Sequence, residues 1–303
     1  MSAFVGPNKA EIAQSFSAAA PRYDQYAFIQ QAIGERLFER LALLNISPKT
    51  ILDLGGGTGY FTKKLQEKFP HSQIISLDLA QGMMQYAKAH HGRPPLLQRL
   101  RGHRKHPYFI CGDMEALPFK EAQFDLIFSN LSLQWSFKPA TVFQACKKIL
   151  KNNGVFLFST LGPHTLQELR QSWAQVDDLP HVNPFFDMHD LGDALLNAAF
   201  KNPVMDMELI TLQYNHLKTL LGDLKATGAH NMNPGRAKNC TPKSHLAKMI
   251  AAYEKFKTPA GYPATFEVLY GHARHEVSVL HRPDQDGLLR IPGNAIPRLS
   301  PSS

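Results

Sequence analysis

The sequence predicts an α/β fold with a mostly parallel sheet, and three observations carry that prediction. Short apolar runs alternate with helical stretches from about residue 50 onward. Glycines crowd the end of the first run, ILDLGGGTGYF at residues 51–61, and acids close later runs at Asp78 and Asp113. Strands alternating with helices build right-handed βαβ units, and these align their strands in parallel.

Ahead of the sheet, residues 9–44 read as helix, because Ile29, Ile33, Leu37, Leu41 and Leu44 recur at spacings of three and four. Pro21 divides that segment, since proline lacks an amide proton and its ring collides with the preceding turn. TILDLGG, QIISLDL, YFICGD, FDLIFSN and GVFLFST follow as strands, with YFTKKLQEKF, QGMMQYAKAH and ATVFQACKKILK as helices among them. Two further strands, MELITLQY and TFEVLYGHA, fall late. Between these two lie HLKTLLGDLKATGAH and KSHLAKMIAAYEKF, the second behind a Thr241 cap with Pro242 at the first helical position. The connection is too long for a hairpin and predicts an inserted helical lid. Beyond Arg274 the chain thins to a segment rich in Pro, Gly and Ser, the composition of a flexible tail. The expected division is N-terminal cap helices at 1–45, an α/β core at 46–213, a lid at 214–260, the last sheet strand at 261–275 and a tail at 276–303.

With 303 residues, 44% hydrophobic and 19% charged, the chain has material for one large domain, alone or with a subdomain. No apolar run is long enough to span a bilayer, and MSAFVGPNKAEIAQSF lacks the basic-then-apolar order of a secretory signal. A cytoplasmic protein is expected, with no membrane partner. Cys111, Cys146 and Cys240 show no CxxC spacing and the fourteen histidines include no HExxH, so no metal is expected. The formal net charge of +8 favours acidic company. Much of it sits in HHGRPPLLQRLRGHRK, residues 90–105, which also reads as a solvated surface loop. No nucleic-acid-binding signature accompanies it, so no nucleic acid is expected.

The spacing of the glycines selects the ligand. A dinucleotide fingerprint would need glycine at position 60, which is Tyr60, and the lysine of a phosphate loop is missing. What remains is Asp53-x-Gly55-x-Gly57-x-Gly59. Alternating glycines let backbone approach a ligand closely. A carboxylate at the strand end is a poor neighbour for pyrophosphate but a good one for a cation or for ammonium and hydroxyl donors. The pattern points to a nucleoside carrying positive charge and no phosphate. Asp78, with Leu79 beside it, is placed to accept ribose hydroxyls, although by itself it reads equally as a solvated loop acid. Asp113 and Met114 suit an adenine amino group and ring face, and the fourth strand ends at Ser129-Asn130. All fall at carboxyl ends of parallel strands, where open α/β sheets bind ligands.

This ordered set resembles the class I S-adenosylmethionine-dependent methyltransferases over residues 51 to about 160. The resemblance implies a Rossmann-like, mostly parallel seven-stranded sheet with helices on both faces. It also implies that Asp53, Gly55, Gly57 and Gly59 surround the methionine moiety, Asp78 takes the ribose and Asp113 lies by the adenine. Met83 is then either an adenine packing partner or plain helix core.

Other segments resemble a narrower family, the malonyl-[acyl-carrier-protein] O-methyltransferases of biotin synthesis. They are IAQSFSAAAPRYDQYA, SNLSLQW, LQELRQSWAQVDDLPHVNPF, LLGDLKATGAHNMNPGR and YPATFEVLYGHA. LKATGAHNMNPGR discriminates best, because it lies outside the cofactor motifs. The basic stretch 90–106 is longer than the type suggests, and the tail has no counterpart in it. The resemblance implies methyl transfer from S-adenosyl-L-methionine to the free carboxylate of a malonyl thioester on an acidic acyl carrier protein, leaving S-adenosyl-L-homocysteine. Such a carboxylate has a pKa near ~3–4 and needs no general base. What it needs is alignment and loss of water, which a closing lid supplies. Candidate acceptor groups are Tyr23, placed after the first helix to close over the cofactor, and Trp135, which like Tyr60 is an aromatic able to face a sulfonium and is, again like Tyr60, also readable as core. Lys225, His230 and Arg236 offer charge to the malonyl group or a phosphopantetheine phosphate, or else form an exposed helical face. His181 reads as a turn residue. One alternative keeps the cofactor without methyl transfer, as in a methyltransferase-like assembly factor or hydroxylase. A nucleic-acid methyltransferase would call for an NPPY-type motif where this chain has SNLS.

Overall fold

The computed structural model describes residues 8–92, 105–229, 231–237 and 241–276. His230, most of the basic stretch 90–106 and the tail from 277 lie outside the described residues, so the expectations for them rest on sequence. Seven strands, β1 (Thr50–Leu54), β2 (Gln73–Asp78), β3 (Tyr108–Cys111), β4 (Phe124–Asn130), β5 (Leu150–Leu161), β6 (Lys201–Tyr214) and β7 (Tyr262–His275), form one sheet. Its order is β3-β2-β1-β4-β5-β7-β6. The first five run parallel, and β7 lies antiparallel between β5 and β6. Chain order reverses between β1 and β4, which opens a crevice at their carboxyl ends.

The central strand shows why the sheet is buried on both faces. Ile51, Leu52 and Leu54 of β1 are all inaccessible, as expected of a continuous apolar run in a parallel sheet. The helices are α1 (Lys9–Ala19), α2 (Tyr23–Tyr26), α3 (Phe28–Glu39), α4 (Tyr60–Lys68), α5 (Gln81–His91), α6 (Pro139–Ile149), α7 (Gln167–Trp173), α8 (Met188–Asn197), α9 (Leu217–Ala226) and α10 (Lys243–Tyr253). One core packs Ile33 and Leu37 of α3 with Phe61 of α4 against Phe128. The opposite core packs Val142 and Phe143 of α6 with Leu195 of α8 against Ile127 and Phe156. Among the described residues, no helix is long and apolar enough to cross a membrane.

Pro21 sits in a tight turn, Ala20–Arg22, between α1 and α2, where its fixed φ continues the bend that it imposes. Pro242 departs from expectation by one position. Its ψ of 142° is extended, so it caps α10 and Lys243 opens the helix, and Thr241 lies one residue outside. The 214–260 block holds α9 and α10 between β6 and β7, and α10 is anchored in the core. Tyr253 is fully buried, and its hydroxyl donates to the Pro263 carbonyl at 2.7 Å.

Candidate active site

Where β1 ends, the chain turns sharply. The Gly55 and Gly56 amides both donate to the Leu77 carbonyl, and Gly57 N–H donates to Asp78 Oδ2 at 3.0 Å. Gly57 has φ of +54°, and a Cβ there would meet nothing within 4 Å, so its bare backbone faces open space. Gly55 (φ +76°) is glycine for a different reason: a Cβ would lie 2.2 Å from that of Ser132. Gly59 (φ +85°) precedes α4, and a Cβ there would lie 2.8 Å from the His91 ring and 3.1 Å from Ala87 Cβ.

Above this turn lies a cleft of about 710 Å³, open to solvent, lined by Gly55, Gly57, Asp78 and Leu79 on one side. Met83, Asp113 and Met114 line it further along, with Asn130 and Trp135 at the β4 end. Asp78 is oriented by two amides, Gly57 on Oδ2 and Ala80 on Oδ1. Burial raises its pKa, and the backbone donors work against that rise. Asp113 Oδ1 accepts from the Glu115 amide, while Lys9 Nζ lies 2.6 Å from Asp113 Oδ2 and from Glu115 Oε2. Partial burial pulls the Lys9 ammonium pKa down, and the two carboxylates more than offset it. Nothing in the sequence signalled Lys9, which arrives from α1. Met83 is buried as well as lining the cleft, so both readings of it hold geometrically.

Beside the glycine turn a smaller cavity is lined by Asp53, Asp24, Thr58, Tyr60 and Gln30, again with Asn130. Asp53 is 2% exposed and accepts from Thr62 Oγ1 at 2.5 Å. Burial pushes its pKa up to about 7, Thr62 opposes the rise, and the Asp78 charge adds to it. Thr58 Oγ1 donates to Asp24 Oδ1, fastening α2 to the glycine turn. The Tyr60 hydroxyl donates to Glu35.

A third cavity, about 790 Å³ and open to solvent, lies under α1–α3 and α9. Its walls are largely apolar, including Phe16, Ile33, Leu166 and Phe266, with Gln134, Thr165, Asn183 and Thr227 as polar members. Tyr23 and Leu131 line all three cavities. Trp135 lines the first and third, with Phe16 edge-on at 5.0 Å. Burial first, then the Asp78 and Asp24 charges, hold the Tyr23 phenol far above its usual pKa, so it stays protonated.

Lys225 and Arg236, the two candidate cations among the described residues, line none of these cavities. Lys225 is exposed on α9, while Asp223, Leu224 and Thr227 of the same segment line the third cavity. Arg236 pairs with Glu11 and donates to the Asn233 carbonyl, tying residues 231–237 to α1. No Lys or Arg lines the third cavity among the described residues. His181, expected only to turn the chain, stacks on Trp173 at 3.7 Å and bonds Asp177.

Residues 52–158 match the methyltransferase-domain family. The fold is shared with the YcgJ protein of Bacillus subtilis (TM-score 0.55, 14% identity, 80% of this chain and 99% of that one). It is also shared with the [4+2]-cyclase SpnF (TM-score 0.54, 17% identity, 91% of this chain and 100% of that one). Sheet order, glycine turn and these likenesses define a class I methyltransferase fold, and a cyclase among the neighbours makes plain that fold alone does not fix a reaction.

Relatives along nearly the whole chain are more specific. The malonyl-[acyl-carrier protein] O-methyltransferase of Gallionella capsiferriformans is 44% identical over 274 residues, covering 90% of this chain and 92% of that protein. That of Legionella pneumophila is 41% identical over 264 residues, covering 87% and 89%. The chain belongs to the malonyl-[acyl-carrier protein] O-methyltransferase family.

Proposed function

We propose that this chain transfers the methyl group of S-adenosylmethionine to the free carboxylate of a malonyl thioester on acyl carrier protein, giving the methyl ester and S-adenosylhomocysteine. The observation that carries the proposal is the meeting of a polar, acid-edged cleft and a largely apolar cavity at one shared wall, Tyr23, Leu131 and Trp135. The residues fit the cofactor. Gly57 offers bare backbone to open space, and Asp78 is held by amides with lone pairs left for ribose hydroxyls. Asp113 with Met114 and Met83 suits adenine, and Asp53 with Asp24 gives the other end the anionic lining that an ammonium group calls for.

When bound, the cofactor supplies a methyl group already activated on a sulfonium. The chain therefore needs no general base, only positioning and exclusion of water. Apolar walls from Phe16, Ile33, Leu166 and Phe266 strip water from the incoming carboxylate, which strengthens its pull toward the positive centre. Alignment of this kind is worth roughly 7–11 kcal/mol of barrier when complete. The +8 charge suits an acidic carrier, which basic surfaces steer into contact.

Incubating the full chain with methyl-labelled cofactor and malonyl-acyl carrier protein tests the proposal. A base-labile labelled ester is expected, formed faster on the carrier than on malonyl-coenzyme A. Tight cofactor binding with no ester would favour the assembly-factor or hydroxylase alternative.

A further inference from the structure

Gln30 lies in the first turn of α3, where the cavity beside the glycine turn meets the acceptor cavity, and it lines both. Its Oε1 is buried without a hydrogen-bond partner. Leaving such an atom unpaired costs roughly 1–3 kcal/mol. Buried polar atoms are otherwise paired almost throughout native proteins, so an orphan beside a ligand space calls for a ligand.

The residue is firmly placed. Asn130 Nδ2 donates to the Gln30 backbone carbonyl at 3.0 Å, and Ser159 Oγ holds the other end of that Asn130 amide at 2.7 Å. Gly34, one turn further along α3, permits the close approach, since a Cβ there would sit 2.1 Å from the Phe61 ring and 2.7 Å from Asn130 Nδ2. Backbone and helix are thus fixed, while rotation about the last side-chain torsion can bring the amide Nε2 toward the cavities that the residue lines.

We infer that Gln30 binds the acceptor: its amide N–H donates to one oxygen of the substrate carboxylate and holds the other oxygen in line with the methyl group. The inference rests on the methyl-transfer reading above. In that step a C–O bond forms, the S–CH3 bond breaks, its electron pair stays on sulfur, and no proton moves. The negative charge of the carboxylate and the positive charge of the sulfonium disappear together. A lysine or arginine on the carboxylate would stabilise the charged ground state more than the transition state, in which that charge is fading. A neutral amide orients the group with less of that penalty. The acceptor cavity agrees, its polar lining among the described residues being hydroxyls, amides and Asp223. The amide also favours product release, because the ester carbonyl accepts a weaker hydrogen bond than a carboxylate does.

The test compares the wild-type chain with Gln30→Glu and Gln30→Leu on malonyl-acyl carrier protein, with S-adenosylhomocysteine affinity measured by calorimetry. Gln30→Glu keeps the shape but sets a second carboxylate against the first. Its kcat/KM is expected to fall about 100-fold near pH 8 and to recover about tenfold toward pH 6, as the introduced, desolvated carboxyl takes up a proton. Gln30→Leu should lose about tenfold at every pH, with S-adenosylhomocysteine affinity kept within about threefold. A purely structural role would give no acid recovery. Wild-type rates in Gln30→Leu, or a flat profile in Gln30→Glu, would overturn the inference while the methyl-transfer reading stood. So would a tenfold loss of S-adenosylhomocysteine affinity with acceptor KM unchanged. If Gln30→Leu does not fold, the Gln30→Glu profile alone decides. Absence of ester from the wild-type chain would instead bring down the reading beneath it.

Discussion

Around the cofactor cleft, the two acids Asp78 and Asp113 stand at or just past strand ends and are set by main-chain amides: Gly57 on Asp78, Glu115 on Asp113. Around the acceptor cavity the lining groups stand largely on helices and are set by packing, as with Phe16 against Trp135 and Leu224 on α9. The two regions therefore tolerate change differently. A strand tip shifts only if the parallel ladder shifts with it, whereas a helical wall adjusts by repacking side chains.

The sharpest test of that contrast is Asp53, whose carboxyl is desolvated by the sheet itself. Its folded-state pKa, near 7, lies above the unfolded value, so its contribution to stability is fully present below about pH 4 and lost as pH rises through 7. Relative to Asp53→Asn, the ligand-free wild-type chain should lose up to about 4 kcal/mol across that window in denaturant titrations. S-adenosylhomocysteine should remove much of the slope by placing an ammonium group nearby. A flat difference would mean that the strand end is wetter than its 2% exposure indicates.

Next in size, Asp78→Ala removes the acceptor for the Gly57 and Ala80 amides along with the expected ribose contact. Calorimetry should record a loss of about 100-fold or more in S-adenosylhomocysteine affinity. Trp135→Ala works on the shared wall. Turnover with malonyl-acyl carrier protein should fall about tenfold while cofactor affinity changes less than about threefold, so a larger effect on the cofactor would erase the distinction between the halves. Smallest is Lys9→Met, since its ion pairs are partly exposed and worth no more than about 1 kcal/mol. Thermal unfolding should move by only a few degrees.

The same contrast explains what the sequence made legible. A strand fixes where its last side chain falls and where the chain turns just beyond it, so Asp78 at the end of β2 and Asp113 two residues past β3 were readable from runs such as QIISLDL, and they line one cleft. Lys9, Asp24 and Gln30 come to the site from helices before the sheet, and no spacing rule gives the docking angle of a helix. The motif counts glycines without saying why each is one: Gly57 faces open space, whereas a Cβ on Gly55 or Gly59 would collide with Ser132 or His91. Lys225 was recoverable: Leu220, Leu224 and Thr227 mark the inward face of α9 at helical spacing, and Lys225 falls off it. Arg236 was not, because its partner Glu11 lies 225 positions away.

Lys9 and Glu11 are neighbours on one short helix, yet one grips the tip of β3 and the other, through Arg236, grips residues 231–237. The helix is thus a bridge with a pier on each side, and a shift that frees it from one bank still leaves it moored to the other.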